Sequence, residues 1–221
     1  MSNTIELKTA DAHVLSAYAS GPADAAAGLV VLQEIFGVNR HMRHVCDTFA
    51  EAGYRVISPA LFDRVERGVE MGYAPEDSLR GRELRAKITE ANTIADIEAS
   101  AAWLGNRKIG IIGYCWGGTV AWLAATRTKS FRACAAWYGT GIAAARNENP
   151  NCPVQLHFGE KDPGIPPADI EAIRKAHPEL ESFVYAGAGH GFGCEERSAY
   201  VKADAEVAQR RTLEFFKKHL V

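Results

Sequence analysis

At 221 residues the chain suits one α/β domain with a sizeable core, and a hydrophobic content of 47% is ordinary for a globular protein. A net charge of −2 without any basic stripe argues against a nucleic-acid partner, and no apolar run is long enough to cross a bilayer. The amino terminus shows no hydrophobic signal region, and five scattered cysteines without CxxC spacing argue against a disulfide framework or a metal site and for a reducing cytoplasm.

Residues 4–8 and 12–19 alternate loosely around a turn near Asp11, which predicts an opening hairpin. The apolar run from Gly28 to Gln33 reads as a central parallel strand covered on both faces, and it runs into Gln33-Glu34-Ile35-Phe36-Gly37-Val38-Asn39. Asn39 is a good N-cap for a helix over 40–52, closed by Gly53. A strand over 54–58 stops at Pro59, and residues 60–75 lack a period and read as a long functional loop. Helices over 76–88 and 90–104 follow, then a strand over 108–112 and a helix over 116–127. Strands are expected over 131–138, 153–158 and 181–185, with helices over 168–176 and 196–219. This alternation predicts an α/β fold, a mostly parallel sheet with helices on both faces, in a single domain spanning 1–221.

The chemistry centres on Gly113-Tyr114-Cys115-Trp116-Gly117-Gly118 between a strand and a helix. This Gly-x-Cys-x-Gly-Gly turn is a nucleophile elbow with cysteine where serine usually stands. Gly113 and Gly117 leave room for strand and helix to pass, and Gly118 lets the helix approach the sheet. Cys115 would face unpaired N–H groups and the positive end of the helix dipole, which favour negative charge on sulfur. The Trp116 N–H would face a developing oxyanion.

In an open parallel sheet, functional residues gather beyond the carboxyl ends of the strands. Polar residues follow four strands here: Glu34, Cys115, Asp162 and His190. The order Cys115, Asp162, His190 is that of nucleophile, acid and histidine in the α/β-hydrolases. His190 would take the thiol proton and later protonate the leaving alkoxide, while Asp162 would orient the ring. Plainer roles stand beside these: a loop histidine without chemistry, an Asx-turn before Pro163, and a Glu34 that caps local N–H groups. Glu160 and Asp169 compete with Asp162 as the acid. A carboxylate buried at Glu34 is costly without a purpose, and its neighbour Ile35 is placed to offer a second oxyanion N–H.

Together, the 33–39 run, the cysteine elbow, the Gly159–Pro166 segment and Gly189-His190-Gly191-Phe192 resemble the dienelactone hydrolases, a cysteine-dependent branch of the α/β-hydrolases. The resemblance spans nearly the whole chain. It implies a Cys115–His190–Asp162 triad, a Glu34 that interacts with the resting thiol, an oxyanion hole from Ile35 and Trp116, and no cofactor. The member that opens dienelactone grips a substrate carboxylate with two arginines. Arg82 fits the first, with Arg80 and Arg85 competing. For the second, the chain reads Gly193-Cys194-Glu195-Glu196, an acidic pair where a cation is expected, and Arg197 comes too late for a direct match, so the dienelactone specificity does not carry over.

The expectation is a cytoplasmic hydrolase of carboxylic esters or lactones, a monomer or small homo-oligomer acting on a small molecule. Aromatics near the mouth (Phe36, Phe62, Trp116, Trp137, Tyr138 and Phe192) suggest a flat or apolar acyl group, although Trp137 fits the core better. The alternatives are a general carboxylesterase or thioesterase with the same triad, or a redox-sensing or ligand-binding module in which the cysteine is oxidised rather than acylated.

Overall fold

A computed structural model describes residues 2–221; Met1, part of the amino-terminal stretch considered above, lies outside them. The chain divides into two compact units, one up to Gly110 and one from Ile111.

In the first unit, β1 (Asn3–Lys8) and β2 (Val14–Ser20) form the expected antiparallel hairpin, in register from Asn3 opposite Ala19 to Lys8 opposite Val14. The strand order is β1-β2-β4-β3, with β2 antiparallel to β4 (Arg55–Pro59) and β4 parallel to β3 (Ala27–Leu32). All six residues of β3 are buried, as a strand covered on both faces requires. Helix α1 (Arg40–Glu51) starts where Asn39 Oδ1 accepts the Met42 N–H at 3.1 Å. It makes the crossover between the two parallel strands. A 3-10 turn (Leu61–Arg64), α2 (Pro75–Arg85) and α3 (Glu90–Leu104) complete the unit. The enclosed Asp96 carboxylate on α3 is matched by Arg64 at 2.7 Å, which also pairs with Asp11 in the hairpin turn.

Strand β5 (Lys108–Tyr114) leads into the second unit, where the order is β5-β6-β7-β8. Strands β6 (Ala133–Trp137), β7 (Val154–Gly159) and β8 (Glu181–Tyr185) are parallel. Helix α4 (Trp116–Arg127) follows β5, α5 (Pro167–Ala176) lies between β7 and β8, and α6 (Lys202–Leu220) closes the chain.

The strands and helices alternate as the sequence predicts, and the fold is α/β with mostly parallel strands. Most boundaries move by a few residues, and two of these changes have a visible backbone cause. Strand β6 ends at Trp137 because Tyr138 takes a positive φ of 39°. The terminal helix starts at Lys202, not near 196, because the preceding residues fold into successive turns: Cys194 N–H to Gly191, Arg197 N–H to Cys194 and Tyr200 N–H to Arg197. Among the described residues no helix is long and apolar enough to cross a membrane.

Candidate active site

The β5–α4 junction builds a strained turn. Cys115 has φ 55° and ψ −116°, outside the comfortable regions for a residue with a Cβ. Its N–H donates to Trp137 O at 3.0 Å and its C=O accepts the Thr119 N–H at 3.2 Å, so the peptide is fixed at both ends. Close approach requires bare backbone, as expected from the sequence. A Cβ on Gly113 would lie 2.0 Å from Gly117 O, and one on Gly118 would lie 2.5 Å from Trp137 O. Cys115 is partly exposed and occupies the N-cap of α4, with no side chain capping that helix. The other described cysteines differ. Cys46, Cys134 and Cys194 are buried, and burial pushes the Cys152 thiol up to about 11.

Asp162 lies on the loop after β7 and His190 on the loop after β8. The loops are joined by backbone bonds: Glu160 N–H to Tyr185 O at 3.0 Å and Lys161 N–H to Ala188 O at 2.8 Å. The two Asp162 oxygens divide the work. Oδ1 accepts the Gly164 N–H at 2.8 Å, an Asx-turn, and Oδ2 meets His190 Nδ1 at 2.7 Å. The ring is also hydrogen-bonded to the Cys115 side chain. Burial pulls the His190 ring down, but its hydrogen bonds to Asp162 and Cys115, and their charges, outweigh burial and raise it to about 10. The second unit therefore brings Cys115, His190 and Asp162 together. Of the two competing acids, Glu160 accepts the Gly187 N–H at 2.9 Å and Asp169 sits in the first turn of α5.

Rings surround this group. Tyr138 meets His190 edge-on, with centroids 5.2 Å apart. Phe192 is fully enclosed, stacked on Trp137 at 5.6 Å and against Tyr185 at 4.8 Å. Trp137 and Trp116 are also buried.

The first unit carries the other sequence-predicted residues. Glu34 is completely buried just past β3, and its C=O accepts Gln33 Nε2 at 3.1 Å. Ile35 and Phe36 are buried beside it. Helix α2 comes so near that a Cβ on Gly81 would lie 1.9 Å from Ile35 O, which puts the exposed Arg82 one residue from that contact. Arg80 instead pairs with Glu66.

The sequence gives no sign of where the Arg197 side chain lies. The turns after Gly191 bring its guanidinium back against the residue next to His190: a Cβ on Gly191 would lie 2.6 Å from Arg197 Nη1. A Gly-rich run followed by small turns does not fix where a side chain seven positions later comes to lie. The edge contact of Tyr138 was equally hidden, because it depends on that residue's positive φ.

Comparison with known proteins bears on the whole chain. The model of the dienelactone hydrolase family matches residues 15–220. A carboxymethylenebutenolidase of Pseudomonas putida is 32% identical over 226 residues, covering 96% of this chain and 94% of its own. A Synechocystis protein provisionally given the same name is 36% identical over 212 residues, covering 87% and 86%. A crystal structure from Klebsiella pneumoniae, provisionally named a dienelactone hydrolase, superposes with a TM-score of 0.84 at 29% identity over 99% of both chains. A dienelactone hydrolase-like promiscuous phosphotriesterase from metagenomic libraries superposes with a TM-score of 0.78 at 16% identity, which speaks for the fold alone.

Proposed function

The chain belongs to the dienelactone hydrolase family of α/β-hydrolases, and from that premise we propose that it cleaves carboxylic esters or lactones through Cys115, His190 and Asp162 by way of a thioester. In this reading its 221 residues act as one cytoplasmic domain. The observation that carries it is the hydrogen-bonded line from the Cys115 thiol through the His190 ring to the Asp162 carboxylate.

His190 takes the thiol proton and becomes an imidazolium, stabilised by Asp162 through Nδ1. The thiolate attacks the substrate carbonyl and forms a tetrahedral oxyanion. The Trp116 N–H at the start of α4 is one donor to that oxyanion. The Ile35 N–H is the other, and Glu34 engages the resting thiol; both roles come from the family resemblance. The carbon–oxygen bond then breaks, and the imidazolium gives its proton to the departing alkoxide. Water, deprotonated by the now neutral His190, attacks the thioester. The thiolate leaves, the carboxylic acid is released and the starting state returns.

Substrate class follows from leaving-group chemistry. A thiolate departs more readily than an amide nitrogen, so collapse of the intermediate is productive for activated esters and enol lactones and unproductive for amides. Arg82, exposed on α2, and Arg197, against the His190 loop, supply the cations for a carboxylate-bearing substrate. Phe36 and Phe192 supply apolar walls.

The test is intact-mass spectrometry across a panel of lactones and aryl esters. Addition of the acyl mass, mapped to Cys115 and lost with turnover in Cys115→Ala, is the expected result. Full turnover by Cys115→Ala overturns the reading.

A further inference from the structure

A buried polar group outside the triad is His157, with both ring nitrogens engaged. It is fully buried in the middle of β7, its ring packs against Trp137 and Phe183, and its two ring nitrogens meet three polar side chains. Nδ1 lies 2.8 Å from Tyr185 Oη, while Nε2 lies 2.9 Å from Gln155 Oε1 and 3.1 Å from Thr212 Oγ1. Nothing in the catalytic proposal uses this residue.

The partners fix the tautomer of the ring. Gln155 Nε2 faces Glu181 Oε2 at 2.8 Å and Arg211 O at 3.4 Å, both acceptors only, so its amide orientation is set and Oε1 faces the ring. An acceptor there requires His157 Nε2 to carry hydrogen. Desolvation holds the ring far below its usual range, at about 3, so it is neutral and Nδ1 keeps a lone pair. The Tyr185 hydroxyl therefore donates to Nδ1, and its oxygen accepts Arg211 Nη1 at 3.2 Å. Thr212 Oγ1 takes a share of the Nε2 hydrogen and accepts Trp137 Nε1 at 3.2 Å.

Two rings are pinned in this way, and the residue that bears each is tied through the main chain to a different part of the triad. Trp137 offers the carbonyl that receives the Cys115 N–H at 3.0 Å. Tyr185 ends β8, directly before the loop that carries His190. Between the two pinned rings sits Phe192, two residues from His190, and its C=O accepts the Val201 N–H at 3.0 Å.

We propose that His157 is a positioning residue: by locking Trp137 and Tyr185 around Phe192, it sets the separation of Cys115 and His190. The inference rests on the triad reading above. A small misplacement of a nucleophile and its base costs far more in rate than in stability, which is why a buried ring this far behind the reacting atoms matters. Buried networks with every member satisfied are rigid enough for the task.

The deciding variant is Tyr185→Phe, which keeps the ring against Phe192 and removes one hydroxyl; His157→Phe, which removes all three bonds, is the stronger perturbation if it folds. Two readouts are taken on folded protein: turnover of 4-nitrophenyl acetate, and the pH dependence of Cys115 alkylation by iodoacetamide, which needs no substrate. The expected result for Tyr185→Phe is a kcat about tenfold lower with KM kept within about twofold. Cys115 alkylation at pH 6 should slow by about tenfold as the thiol–imidazole contact loosens. An unchanged alkylation profile in folded Tyr185→Phe overturns the inference, whatever kcat does. A wild-type Cys115 no more reactive at pH 6 than Cys152 overturns the triad reading itself, and that outcome is distinct.

Discussion

Asp162 makes two contacts with separate atoms, one to the main chain and one to a ring. Its Oδ1 closes the Gly164 turn while Oδ2 orients His190. The two roles therefore separate by substitution. Asp162→Asn retains an oxygen for the turn and loses the charge, so turnover of an aryl ester should fall by about 10³–10⁴. Asp162→Ala loses both and should cost roughly a further 1 kcal/mol of stability. Equal stability of the two variants would show that the turn does not depend on this carboxylate. At this scale the sequence was informative where spacing carried the message: Cys115, Asp162 and His190 each lie on the turn or loop that follows a strand, in the order read from the sequence. Arg197 was not legible, since three consecutive tight turns decide where its guanidinium lies. Gln155 and His157 gave a weak sign, two polar residues at period two inside an otherwise apolar strand, but their partners on β8 and α6 leave no mark on local sequence.

Among the elements, the stretch from Gln33 to Asn39 depends on a strap. The irregular residues 69–73 bind it through Met71 N–H to Phe36 O at 2.9 Å and Asn39 Nδ2 to Met71 O at 3.0 Å. Tyr73 adds a hydroxyl 3.2 Å from Asn39 Nδ2 and a ring centroid 4.6 Å from that of Phe36. Gly37 is where the two segments cross. Its φ is +81°, and a Cβ there would lie 1.8 Å from Val69 O. Gly68 has a similar φ of +68° with open space around it. Gly68→Ala should therefore cost about 1 kcal/mol, the backbone strain alone. Gly37→Ala adds a clash with the main chain and should cost roughly 2–5 kcal/mol, lowering turnover as well because Ile35 rides on the same stretch. Thermal melts of the two variants decide it, and equal losses would mean the strap yields freely. The sequence marked residues 60–75 as a functional loop from their lack of period. What it binds was out of reach, because the strap is made by backbone groups, one amide and the single Tyr73 side chain, which have no periodic signature.

For the molecule as a whole, the legible part was the alternation of strand and helix, which needs only burial on two faces and well-placed turns; the buried polar groups were the illegible part, and they govern how stability depends on pH. His157 is neutral in the folded chain, with its titration pushed down to about 3 against about 6.5 for a free ring. Between those values the unfolded chain binds one more proton than the folded chain, so stability rises with pH across this window and is lost as pH falls through it. By pH 5 the loss from this ring alone should be about 2 kcal/mol relative to the plateau above 6.5. Ordinary carboxylates begin to titrate only near the bottom of that interval, so pH 5 to 6.5 isolates histidine. His219 at the end of α6, lowered by partial burial and by Lys218, adds in the same direction. Urea midpoints at half-unit steps read the slope, and a folded His157→Phe should flatten most of it. If the slope between pH 5 and 6.5 is the same in both proteins, the protons are taken up elsewhere and the ring is not held neutral by burial. On the alkaline side the same experiment runs on activity: the His190 imidazolium, raised to about 10, should hold turnover up to that pH and lose it beyond.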